Sequence, residues 1–263
     1  MTYRATATDG IAWVTGASSG IGRATARELA RRGFTVAASS RSAEALQALS
    51  GEAKGEGGRI ISHPCDVTDA AEVESTVAAI ELAHGPIVLA FLNAGIAPYV
   101  RARRFDAEAF RKAMAVNFFG IVNGFAALLP RMAERGRGQI AVMASLAGYR
   151  GLPSAAAYGA SKAAAIHMCE ALKFDCDRMG VTLQVVNPGF VETPLTAKNS
   201  FPMPFLVSEV EAGRRIADGF ARGGFEITFP RRLAYLVKLG RMLPHRLYFA
   251  GVARGTVWSR RKS

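Results

Sequence analysis

The 263-residue chain has only three cysteines, Cys65, Cys169 and Cys176. That small, odd number excludes a disulfide framework, and none of the four histidines has metal-ligand spacing around it, so no metal is expected. Cys169 and Cys176 can share a helix face, a pattern that belongs to core packing. The first ten residues carry Arg4 and Asp9 and no apolar segment, so no secretory signal is expected. No run approaches the ~20 apolar residues of a membrane span. Linkers, repeats and low-complexity tracts are missing too, which predicts one domain in a reducing cytoplasm. Half the residues are apolar, enough for a core without staples. Negative charge is missing from the C-terminal end: residues 227–263 hold nine lysines and arginines and no acidic residue. The net charge is +12, so the first 226 residues contribute only +3.

Thr15 to Gly22 reads TGASSGIG, after the apolar run Ile11-Ala-Trp-Val14 and before a helix-like stretch from Ile21 to Arg32 that stops at Gly33. Strand, glycine turn and helix in that order are what a dinucleotide fingerprint requires, although the spacing is G-x-x-x-G-x-G. Gly16, Gly20 and Gly22 let backbone approach a pyrophosphate, and the helix N-terminus offers it free N–H groups. Further short apolar runs (Phe34 to Ala38, Ile60 to His63, Ile87 to Leu92, Gln139 to Ala144, Thr182 to Asn187) alternate with alanine-rich helical stretches. Such alternation predicts a parallel sheet with crossover helices.

Tyr158 and Lys162 stand at i and i+4 in YGASK, one face of a helix, and put a phenol beside an ammonium. A neighbouring cation favours the phenolate, which suits proton exchange with a carbonyl or alcohol. Ser145 and Ser154 both precede Tyr158. Ser145 is preferred as its partner because it follows a strand-like run and can sit at the C-terminal end of a strand, where such sheets bind ligands.

With these motifs, Asp66-Val67, Asn93-Ala94-Gly95, Asn117 in VNFFG, Ser145 in MASLAG, Pro188-Gly189 and Thr193-Pro194, the chain resembles the short-chain dehydrogenase/reductase family from about Gly10 to Thr193. The resemblance implies a Rossmann-type doubly wound α/β sheet of about seven mostly parallel strands with helices on both faces. It also implies a tetrad of Asn117, Ser145, Tyr158 and Lys162. Ser145 would hydrogen-bond the substrate oxygen, Tyr158 would deliver the proton, and Lys162 would bind the nicotinamide ribose and keep the phenol acidic. Asn117 would anchor a water leading to solvent. Asp66 would accept from the adenine amino group beside the Val67 backbone, and Asn93, Ala94 and Gly95 would lie along the adenosine ribose. Pro188-Gly189 would back the nicotinamide with Thr193 near its carboxamide, and Ile21 and Val191 complete the cofactor set.

Cofactor choice falls to the end of the second strand. The family's acidic position is here the neutral Ser40, and Arg41 follows with a planar fork that can pair with a phosphate. NADP(H) is therefore favoured over NAD(H), with hydroxyl contacts from Ser18 or Ser19, although the glycine loop lacks an extra basic residue. The implied activity is reduction of a carbonyl. An NAD-dependent alcohol dehydrogenase, a 3-oxoacyl thioester reductase and a non-catalytic NADPH sensor or scaffold remain as alternatives.

Residues 195–206, LTAKNSFPMPFL, suggest a short apolar lid within a span of about 190–222, and so a hydrophobic, lipid-like ketone. Ser208 and Glu211 look like a capping box opening a helix to Arg222. The domain is set at 1–230, followed by a basic extension at 231–263. In that extension a wheel over Arg231 to Leu243 puts Leu233, Leu236, Val237 and Leu243 on one side, and Trp258 with Arg260, Arg261 and Lys262 ends it. This resembles an interfacial amphipathic helix on an anionic membrane surface. Docking on the chain's own domain, or on a coenzyme A thioester, are the other readings; nucleic acid is not expected. Relatives pair through the helices that would span Asp106 to Glu134 and Tyr158 to Met179, which implies a homodimer or homotetramer.

Overall fold

The sheet begins with β1 (Ile11–Thr15), whose five residues are all buried. The computed structural model describes residues 3–53, 55–197 and 202–255; Phe201, Trp258, Arg260, Arg261 and Lys262 of the sequence reading lie outside them. After β1 come α1 (Gly20–Arg31), β2 (Thr35–Ser39), α2 (Ala43–Glu52), β3 (Arg59–Ser62), α3 (Ala70–His84) and β4 (Ile87–Leu92). Then follow α4 (Ala107–Met114), a π-helical turn (Ala115–Phe119), α5 (Gly120–Glu134), β5 (Gly138–Met143), α6 (Ala156–Arg178) and β6 (Val181–Pro188). The chain closes with the two-residue strands β7 (Val191–Glu192) and β8 (Val207–Ser208), α7 (Glu209–Arg222), β9 (Glu226–Phe229), α8 (Arg231–Met242) and α9 (His245–Gly255).

Seven strands lie in the order β3-β2-β1-β4-β5-β6-β9, every neighbouring pair parallel. The chain winds outward from β1 to β3 and restarts at β4 on the other side of β1, so the topological switch point falls between β1 and β4. This is the doubly wound Rossmann-type sheet expected.

Parallel strands buried on both faces read as continuous apolar runs, which makes β1, β2, β4, β5 and β6 legible, while the edge strand β3 shows only the short run Ile60-Ile61. Side chains then alternate between two cores. Ala12, Val14, Leu89, Phe91 and Ala141 face α1, α2 and α7, while Ile11, Trp13, Ala90, Leu92 and Ile140 face α3, α5 and α6. Cys65, Cys169 and Cys176 are buried, free thiols. The 107–134 helical span is long and apolar enough to cross a membrane by composition alone. Its Ile121, Phe125, Leu128 and Met132 are instead packed under the sheet.

Three expectations change. The seventh strand, β9, escaped the pattern because only Ile227 and Phe229 of its four residues point to the core. Helix α7 is no part of a lid: Ala212, Ile216, Ala217 and Phe220 belong to the core. The surface segment is therefore the connection between β7 and β8, which pair with each other. Ser208 does cap α7 by accepting from the Glu211 N–H, but the Glu211 carboxylate turns to Arg214 and Arg215, so the box is half made.

The described part of the basic extension, 231–255, docks on its own domain. The Arg150 guanidinium caps the C-terminal end of α8 through the carbonyls of Gly240, Arg241 (3.2 Å) and Leu243 (2.8 Å), and stacks 4.0 Å from the Tyr248 ring centroid. Tyr248 donates to the Gly151 carbonyl at 2.8 Å, and Lys238 pairs with Glu226.

Helices α1 and α7 meet where a Cβ on Gly213 would stand 2.7 Å from the Ala24 carbonyl carbon. Overpacking of this kind costs ~1–3 kcal/mol. Gly213→Val should lower the urea midpoint accordingly, whereas Gly51→Ala, with nothing within 4 Å, should hold or raise it.

Candidate active site

The ends of β1 and β4 are stitched together. Thr15 Oγ1 accepts the N–H groups of Asn93 (2.9 Å) and Ala94 (3.1 Å), and Asn93 Nδ2 returns to the carbonyls of Thr15 (2.9 Å) and Gly16 (3.3 Å). The Asn93 Nδ2 group is thus engaged in holding the glycine turn. A Cβ on Gly16 (φ 65°) would stand 2.7 Å from Ala94 Cα, and one on Gly22 would stand 2.3 Å from the Gly16 carbonyl. Gly20 faces Thr193, whose Cγ2 would lie 3.3 Å from an added Cβ. Thr193 therefore roofs the turn.

Helices α2, α3, α4 and α7 each open with a capping Ser or Asp and a glutamate in the first turn. Helix α1 has neither: Ser19 makes no side-chain cap and no acid follows it. The Gly20, Ile21 and Gly22 amides then remain oriented for an anion, with Ser18 and Ser19 beside them. These residues fit a dinucleotide pyrophosphate, since the turn that presents the amides can close only with glycine at 16 and 22.

At the ends of β2 and β3, Ser40 holds the Cys65 N–H through its carbonyl (3.0 Å), and Arg41 is exposed. Asp66 Oδ1 accepts from the Thr68 amide (2.9 Å) and hydroxyl (2.8 Å). The Thr68 amide, then its hydroxyl and the charge of Arg41, hold that carboxyl below its usual range. Asp66 is thus part of a turn as well as a candidate adenine contact. The Val67 carbonyl accepts from Asn123 Nδ2 at 2.9 Å.

The tetrad residues converge around Gly95 and the loop after β5. Asn117, fully buried in the π-helical turn, accepts from the Ile96 N–H (2.7 Å) and donates to the Ile96 carbonyl (2.8 Å) and to Ser161 Oγ (2.9 Å). A Cβ on Gly95 would lie 3.2 Å from Asn117 Oδ1 and 3.5 Å from Lys162 Nζ, so this glycine leaves the two side chains room. Ser145 caps a 3₁₀ turn, accepting from the Ala147 N–H at 3.1 Å, and its hydroxyl lies near enough to the Tyr158 phenol to lower its pKa. Ser154 is left in the loop, its carbonyl holding the Val100 N–H. Of the two serines it is Ser145 that the fold sets beside Tyr158.

Lys162 is 2 % exposed and its ammonium donates to the Met143 carbonyl at 2.7 Å, 5.9 Å from the Tyr158 ring centroid. Burial drives its pKa down to about 7. Burial also raises the half-buried Tyr158 phenol, with the Ser145 hydrogen bond pulling it partly back. Desolvation thus favours the neutral form of both groups.

Pro188 ends β6, and the Gly189 N–H donates to the Phe229 carbonyl at 2.8 Å. An added Cβ at Gly189 would stand 2.8 Å from Leu233 of α8. Val191 is buried in β7. Sequence reasoning missed Thr15 and Ser161, although Ser161 lies inside YGASK, and its hydroxyl donates to the Tyr158 carbonyl at 2.7 Å. A cavity of about 200 Å³ lined by Tyr149, Glu170, Asn187, Glu226 and Lys238 contains none of the tetrad. No group of three metal-ligating side chains occurs among the described residues.

An unfolded lysine keeps its proton to its ordinary 10.5, whereas the native Lys162 releases it near 7. The unfolded chain then holds the extra proton, so this group makes stability rise with pH above about pH 7. From about pH 7 to about pH 8.5 urea denaturation should show wild-type stability gaining up to ~1.4 kcal/mol per pH unit relative to Lys162→Met. Parallel pH slopes in the two proteins would contradict a buried, proton-shedding lysine.

A family model for short chain dehydrogenase matches residues 10–202. An uncharacterized oxidoreductase of Myxococcus xanthus is 40 % identical over 243 residues, 92 % of this chain and 96 % of that one. Among solved structures, a short chain dehydrogenase/reductase from Burkholderia phymatum in complex with NAD shares the fold with a TM-score of 0.81 at 23 % identity, covering 91 % of this chain and 94 % of that one. An actinorhodin polyketide ketoreductase with NADPH aligns with a TM-score of 0.77 at 28 % identity, over 86 % of this chain and 97 % of that one. Fold, glycine turn, tetrad and these similarities agree: the chain belongs to the short-chain dehydrogenase family of nucleotide-binding oxidoreductases.

Proposed function

We propose that the chain is an NADPH-dependent reductase of hydrophobic ketones. The observation that carries the chemistry is the Ser145 hydroxyl beside the Tyr158 phenol, with the buried Lys162 one helical turn on and its ammonium 5.9 Å from the Tyr158 ring centroid. The nicotinamide supplies a hydride to the carbonyl carbon. Ser145 donates a hydrogen bond to the oxygen as negative charge develops there. Tyr158 then gives that oxygen its proton. Lys162 brings further N–H donors for ribose hydroxyls, and its charge counts most once a ligand offsets the cost of burying it. The side-chain amide of Asn117 is engaged by Ile96 and Ser161. Its backbone, in a turn where the i→i−4 ladder is broken, is what remains to hold a water toward Lys162.

Preference for the phosphorylated dinucleotide rests on Ser40 and Arg41: no carboxylate repels a 2′-phosphate at this strand end, and an exposed guanidinium stands ready to pair with it. The substrate class rests on the β7–β8 connection, where Leu195, Phe205 and Leu206 stand exposed. The likeness to a ketoreductase with NADPH supports the same reading.

NADPH oxidation over a panel of hydrophobic ketones tests this. Tyr158→Phe should lower kcat by roughly 10²–10⁴-fold, and Ser145→Ala by roughly 10²–10³-fold. Tight NADPH binding without turnover across the panel would make the chain a sensor. Arg41→Ala should cut the NADPH over NADH preference by roughly tenfold or more, seen in KM before kcat; an unchanged preference would remove Arg41 from cofactor choice.

A further inference from the structure

Helix α8 is apolar on two faces, and the domain uses one. Leu233, Ala234 and Val237 turn inward, Leu233 seating against Gly189. Tyr235, Leu236, Leu239 and Met242 form a second stripe at helical spacing and are 67 %, 60 %, 56 % and 75 % exposed. Leu247 and Phe249 of α9 are exposed as well. The wheel drawn from the sequence had merged the two sides: Leu233 and Val237 belong to the docked one, Leu236 to the open one.

We propose that this outer face of α8 and α9 rests on an anionic lipid surface. Large apolar side chains held in solvent by a helix already docked on its other side mark an interaction surface, and the charge around them identifies the occupant. Arg231, Arg232, Arg246 and Arg254 are exposed on the same two helices, with no acidic residue after Glu226. A second copy fits poorly, because a two-fold interface would set this basic segment against itself with no carboxylate of its own to pair with. Anionic headgroups supply that charge, and the acyl region takes the apolar stripe.

The placement gives the contact a use. Arg150 and Tyr248 fasten α8 and α9 to the segment joining Ser145 to Tyr158. In that segment Leu152 is also exposed. The lipid-facing surface thus stands beside the loop that carries the catalytic serine, and a hydrophobic ketone would reach the site from the bilayer. That last step rests on the proposed reductase activity; the docking itself does not.

The test is sedimentation of the full-length chain with phosphatidylcholine vesicles with and without phosphatidylglycerol. Pelleting is expected with the anionic vesicles, weakening as salt is added. Each exposed arginine near such a surface is worth roughly a fivefold gain in partition, so Arg231→Gln with Arg232→Gln should weaken it roughly 25-fold. The triple change Leu236→Ser, Leu239→Ser and Met242→Ser should abolish pelleting yet leave turnover of a short, water-soluble ketone unchanged. That turnover reports on the reductase reading separately. Equal partitioning on both vesicles, or no pelleting, overturns the proposal. So does a dimer by light scattering that the triple change dissolves, since the face would then belong to a second copy.

Discussion

The site is organised by the joint between β1 and β4, where the Thr15 hydroxyl takes two amides from the neighbouring strand and Asn93 returns two bonds to the turn. Adjacent parallel strands whose connections leave in opposite directions open a crevice at their ends, and unless something closes the backbone across it that crevice has no fixed shape. These four hydrogen bonds fix it. On one side they hold Gly16 and Gly22 at distances that no Cβ could share, which presents the start of α1 to an anion. On the other they deliver Gly95 to the narrow place between Asn117 and Lys162.

Lys162 sits at the far side of the crevice and sets its electrical character. An ammonium in the core with a single carbonyl among the described residues is poorly compensated, and its proton is correspondingly loose. The phenol one turn away is shifted in the opposite direction by the same cause. Both shifts have burial as their first cause and favour the uncharged groups. Two residues at i and i+4 tell which groups meet; they do not tell how much water surrounds them.

The parts legible in the sequence were those governed by local pattern. Strands buried on both faces announce themselves as unbroken apolar runs, and glycines forced by close contacts cluster in a recognisable turn. What stayed hidden depends on packing or on a choice among several available partners. Two inward residues were too few to reveal β9, and the π-helical turn around Asn117 has no signature in VNFFG. That Asp66 would bond Thr68, and that Glu211 would choose Arg214 and Arg215 over the Ser208 amide, turned on partners equally available in the sequence. The basic segment looked like one amphipathic helix because a wheel cannot tell an apolar face that meets protein from one that meets solvent.

Gly189 has three neighbours pressing on it. Leu233 of the C-terminal helix, Pro230 just before that helix and Leu146, which follows Ser145, stand 2.8 Å, 3.2 Å and 3.4 Å from where a first side-chain carbon would be. The start of α8 is thus seated directly on the backbone that leaves β6, and any side chain at 189 would have to push that helix aside.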